Sequence, residues 1–66
     1  MTFGERLLQV LQKRKITQQK FSALCGLCGP MISLYVRGKR YPHKKGMPLL
    51  AKALGPKDFW FVLIGD

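Results

Sequence analysis

A chain of 66 residues is enough for one small domain and too short for a two-layer enzyme with its own cleft. Its 47% hydrophobic content supports a packed core rather than disorder, and no apolar run has the length of a membrane span or the form of a secretory leader. Twelve Lys and Arg stand against three acids, Glu5, Asp58 and Asp66, for a net charge of +9; a folded domain this basic points to a polyanionic partner, most often nucleic acid, the plain alternative being a merely soluble basic protein.

Thr2-Phe3-Gly4-Glu5 has the form of a capping box, in which the Thr2 hydroxyl accepts from the Glu5 amide and the Glu5 carboxylate reaches back. Phe3, Leu7, Val10 and Leu11 then recur at helical spacing, which predicts an amphipathic helix from 3 to about 14. Lys13, Arg14 and Lys15 fall in its last turn and the linker, where they complement the helix dipole or reach a phosphate.

Thr17 suits the N-cap of a second helix beginning at Gln18. Phe21, Leu24 and Cys25, at i, i+3 and i+4, form its expected apolar face, and Gly26 supplies the left-handed residue that ends it. After Leu27, a turn residue placed to bury, a third helix is expected from about Cys28 to Val36, with Met31, Ile32, Tyr35 and Val36 inward and Gly38 closing it. The next segment, Arg37 to Gly46, holds five of the twelve cations, two glycines and a proline, so it reads as a basic loop: either a phosphate-binding edge or a solvated one. Tyr41 is expected to pack its ring under this loop and offer its hydroxyl to a phosphate, and the single His43 makes a poor metal site.

Met47 to Leu54 predicts a fourth helix with Pro48 near its first turn and Leu49, Leu50, Ala53 and Leu54 toward the core. Gly55 ends it, Pro56 opens the next turn and Asp58 lies in that first turn. The run Phe59 to Ile64 is apolar throughout, and its period does not separate helix from strand. Its surplus apolar surface either caps the monomer core or docks a second copy through Phe59, Trp60, Phe61 and Val62.

Cys25-Gly26-Leu27-Cys28 is a CxxC. Structural zinc needs four ligands, and this chain offers one Cys pair and one His, so no metal and no other cofactor is expected. A redox role needs a lowered thiol pKa and ordinarily a thioredoxin-like context; the expectation is that Cys25 buries as a small apolar residue and Cys28 starts the third helix. The sequence has no paired carboxylates, Ser-His-Asp set or phosphate-binding Gly loop, so an enzyme is not expected.

The ordered set Thr17-Gln18, Ser22, Gly26, Ile32, Tyr35 and Arg37-Gly38, followed by Pro48 to Gly55 and Phe59 to Gly65, resembles the lambda-repressor-like helix-turn-helix family of the phage Cro and repressor type over nearly the whole chain. The resemblance implies an all-α, five-helix DNA-binding domain, although the wider Cro group also uses strands at the C-terminal run. It implies a sequence-specific, dimeric transcriptional repressor in the cytoplasm of a bacterium or phage-infected host. The homodimer would form in solution or only on double-stranded DNA, and the lack of a second domain fits a Cro-type protein.

Carried over by position, Cys28, Gly29, Pro30, Ser33 and Leu34 would enter the major groove, with Thr17, Gln18, Arg37, Lys39, Arg40 and Lys44 on phosphates. The groove set lacks the Gln, Asn or Arg that bond bases in bidentate fashion, so readout would lean on apolar contact and DNA shape. Many relatives join the first and third helices by a buried Arg–Glu pair; here those positions hold Leu11 and Val36, an apolar replacement that avoids a stranded charge. The rival readings are an antitoxin-type protein built on the same fold and a CxxC redox-responsive protein.

Overall fold

The capping box forms as the sequence predicts: Glu5 N donates to Thr2 Oγ1 at 3.2 Å, and Thr2 N donates to Glu5 Oε1 at 3.0 Å. These bonds hold the Glu5 carboxyl below its ordinary range, because they favour the charged form. In this computed structural model, which describes residues 2–65, the box opens α1 (Phe3–Arg14). Four more helices follow: α2 (Gln18–Cys25), α3 (Gly29–Val36), α4 (Gly46–Leu54) and α5 (Pro56–Ile64), with no strand among the described residues.

The boundaries have local causes. Thr17 caps α2 by accepting from Lys20 N at 3.0 Å, and Gly26 ends it at φ 79°, in the left-handed region where a side chain is strained. Gly65 ends α5 in the same way, at φ 88°. One non-glycine residue, Lys15, also takes a positive φ, 58°, as the C-cap of α1, and directs the chain so that Ile16 N reaches back to Leu11 O.

α1 packs against α3 and α5, α2 against α3 and α4, and α4 against α5. Phe21, Leu7, Leu11, Ile32, Leu50 and Val62 are wholly enclosed where these faces meet. Burying each side chain of this kind contributes about 1.5–3 kcal/mol. Leu11 lies in this core, and half-buried Val36 packs against its edge.

Three expected positions differ. The helical period places Leu24 and Leu49 toward the core, yet Leu24 is 59% exposed and Leu49 is also exposed. In α2 the buried stripe runs through Phe21 and Cys25, and Leu24 lies to one side of it; in α4 the stripe runs through Leu50 and Leu54, and Leu49 is a full residue off. Both leucines border a groove where α2 and α4 diverge. Val62, expected at a dimer contact, is wholly buried, while Trp60 is 56% and Ile64 59% exposed. A strand would put residues 60, 62 and 64 on one face; the helix sends Val62 inward and its neighbours outward.

Two arginines of α1 fasten the ends of other helices. Arg6 donates from Nε to Val62 O at 2.9 Å and from Nη2 to Leu63 O at 3.1 Å, at the C-terminus of α5. Arg14 donates to Ala53 O at 3.3 Å and to Leu54 O, at the C-terminus of α4, and pairs with Asp58 Oδ2 at 2.7 Å. The last carbonyls of a helix lack partners within it and carry its negative dipole end, so a guanidinium satisfies both needs. The basic triplet is therefore divided: Arg14 is committed to α4 and α5, where the sequence suggested capping of α1 or phosphate contact. Arg14→Met keeps the stem and removes the donors. Because the pair is partly solvent-screened, the expected loss is about 1–2 kcal/mol, or roughly 5–15 °C in Tm for a domain of this size, read by thermal melting.

Candidate nucleic-acid interface

The chain between α2 and α3 is short and fixed at both ends. Gly26 N bonds Ser22 O at 2.9 Å, and Cys28 O accepts from Met31 N and Ile32 N as α3 begins. Half-buried Leu27 packs against the core between them, as the sequence predicts. Pro30 occupies the first turn of α3, where a helix amide has no internal partner in any case, so the missing donor costs little. Cys28 is the N-cap without a side-chain bond, and it and Pro30 are exposed. Gly29 is half-buried, and a Cβ added there would meet nothing within 4 Å, so the space beside it is open. Ser33 and Leu34, one turn further, are half-buried, because Ile32 and Tyr35 on either side turn fully into the core.

The loop that follows is tied down. Gly38, at φ 75°, donates to Tyr35 O, and Lys39 N and Arg40 N both reach Leu34 O, at 2.9 and 3.3 Å. At its far end Gly46 N and Met47 N bond His43 O, at 2.8 and 3.0 Å. Pro42 and Gly46 are buried between these anchors, and a Cβ on Gly46 would lie 3.1 Å from Tyr35 Oη. Burial pushes the Tyr35 phenol above its ordinary pKa, with the charge of Arg40 acting in the opposite direction. The backbone is thus fixed while Arg37, Lys39, Arg40 and Lys44 stay exposed.

Thr17, half-buried Gln18, the exposed start of α3 and the four loop cations are thereby carried by α2, α3 and the loop that continues α3. The sequence has no acidic residue between Glu5 and Asp58. Asp58 is paired with Arg14, and among the described residues no acidic side chain forms an ion pair with the loop cations. α3 thus has an exposed start at one end and exposed cations on the anchored loop at the other, which suits a groove at the helix and a phosphate backbone on the loop.

Cys25 is buried, with its Sγ 3.8 Å from Ser22 O, and Cys28 is exposed; both are free thiols. The described residues contain no group of three or more His, Cys, Asp or Glu placed to hold a metal. No helix among them is long and apolar enough to cross a membrane.

Sequence reasoning did not find Arg6, nor the ring contacts around Phe3. Tyr41 leans on Phe3 with ring centroids 5.0 Å apart, and Phe3 meets Tyr35 edge-on at 6.2 Å. Tyr41 therefore rests on the start of α1 and stays exposed, where the sequence suggested a ring packed under its own loop. No family model matches the chain, and neither does any curated protein or any solved structure.

Proposed function

We propose that this protein is a sequence-specific regulator of transcription that binds double-stranded DNA as a homodimer, in the manner of a Cro-type repressor with a lambda-repressor-like helix-turn-helix. The observation that carries the reading is that one helix, α3, has exposed Cys28 and Pro30 at its start and the anchored basic loop continuing from its end. In this reading α2 lies across the duplex and α3 enters the major groove through Cys28, Gly29 and Pro30, with Ser33 and Leu34 at the groove edge. Thr17, Gln18, Arg37, Lys39, Arg40 and Lys44 hold phosphates and set the register. Repression is steric, by occupation of a site that overlaps a promoter.

The exposed face of α5 supports the dimer. Trp60 and Ile64 stand one turn apart and outward, with half-buried Phe59 and Phe61 beside them. Val62 has no part in that contact. Apolar side chains this large on a domain this small favour a covered face.

The reading is tested by selecting bound sites from random duplex DNA. The expected product is a palindrome whose half-sites are about one helical turn, roughly 34 Å, apart, bound with an affinity that falls steeply with salt. Enrichment of no motif, or binding indifferent to salt, overturns it.

A further inference from the structure

We propose that the groove between the start of α1 and the loop after α3 receives an unpaired nucleobase of a nucleic-acid strand, so that the protein also holds single strands. The groove, of about 510 Å³, is bordered by Phe3, Gly38, Lys39, Arg40 and Tyr41. Tyr41 is 56% exposed, but its ring is supported from below: it leans on Phe3 at an interplanar angle of 54°, and Phe3 and Tyr35 beneath it are both buried. A tyrosine held in this way offers an open ring whose ordering cost was met on folding, the property that makes aromatic side chains platforms for bases.

The electrostatics match the same occupant. Lys39 and Arg40 stand exposed at the lip, and neither has an acidic partner among the described residues. Arg6 also borders the groove while bonded to the carbonyls of Val62 and Leu63. In a duplex the base faces are stacked on one another and cannot reach such a ring; an unpaired base can, with its flanking phosphates on the cations. Arg37, Lys44 and Lys45 extend the run of cations on the same loop beyond the groove, which suits a strand over a free nucleotide. Lys39 and Arg40 are shared with the proposed duplex contacts, and the open ring of Tyr41 is what distinguishes the two modes of binding.

The experiment is fluorescence anisotropy with the whole chain, using labelled oligo-dT and, in parallel, labelled duplex. Wild type is expected to bind both. Tyr41→Ala is expected to weaken oligo-dT binding about tenfold and to leave duplex binding within about twofold, since no cation and no groove contact is removed. Tyr41→Phe keeps the ring and is expected to retain oligo-dT binding. Tyr41→Leu keeps Phe3 covered, which protects the fold, and is expected to behave like the alanine variant. Excess dTMP is expected to leave the oligo-dT complex intact. Absence of oligo-dT binding by wild type, equal losses on both nucleic acids, or complete displacement by dTMP overturns the proposal. Oligo-dT binding without duplex binding supports it, and overturns the proposed function instead.

Discussion

Gly4→Ala is expected to be among the most damaging single substitutions in this chain, lowering stability by about 3 kcal/mol and Tm by roughly 12–24 °C. Gly4 is buried in the first turn of α1, where that helix crosses the end of α3. A Cβ there would lie 2.5 Å from Val36 O and 2.9 Å from Val36 C, and against Tyr35 O as well. These are backbone atoms of a packed helix end, so no side-chain rotation relieves the overlap. In an exposed helix the same change would be favourable by about 0.5–1 kcal/mol, because alanine loses less backbone freedom on folding. The close approach of two helices reverses that sign. Gly29→Ala is the internal comparison: its Cβ would meet nothing within 4 Å, and stability is expected to be unchanged or slightly raised. Thermal melts of the two variants, followed by circular dichroism, make the test. A Gly4→Ala protein as stable as wild type would mean that α1 and α3 do not cross as described.

Replacing Arg37, Lys39 and Arg40 together with Ala is expected to change DNA binding more than any change of equal size elsewhere. All three are exposed and none enters the core, so folding is expected to survive, with Tm shifted by no more than a few degrees. Each phosphate that is no longer neutralised lowers the slope of log K against log salt by about 0.9, and three lower it by about 2.7. Referred to molar salt, that is a weakening of about a hundredfold at 0.15 M and on the order of a thousandfold at 0.05 M. Lys57→Ala, on α5 and away from the loop, is the control and is expected to leave the slope unaltered. Duplex titrations at several salt concentrations measure both. An unchanged slope in the triple variant would remove the loop from the interface and with it the main support for the proposed function.

Much of the local architecture is legible in the amino-acid order. The capping box at Thr2 and Glu5, the Thr17 cap, and the turns at Gly26 and Gly65 all form at the residues that signal them. Their causes are local: a hydroxyl reaches an amide three residues on, and a glycine accepts a positive φ, whatever the rest of the chain does. The candidate site is legible to a similar degree. The short α2–α3 connection, the exposed start of α3 and the basic loop follow from pattern and composition. Chain order alone does not reveal that the loop is anchored through Pro42 and Gly46, or that Ser33 and Leu34 sit half-buried beside the exposed Pro30.

What the sequence determined by itself, then, is four helices with most of their ends, a basic loop and a charge of +9, with the apolar run from Phe59 to Ile64 left open between helix and strand. Tertiary structure alone decided which apolar residues go inside: Val62 enters the core, while Leu24 and Leu49 are left at the surface. It also gave Arg6 and Arg14 their work at helix ends far along the chain, set Tyr41 on Phe3, and made Gly4 indispensable at a crossing. The physical reason is the same in each case. A helical period defines a face to within a residue or so, but the crossing of two helices selects which edge of that face is covered. Contacts between residues distant in the chain follow from those crossings, and no local signal encodes them.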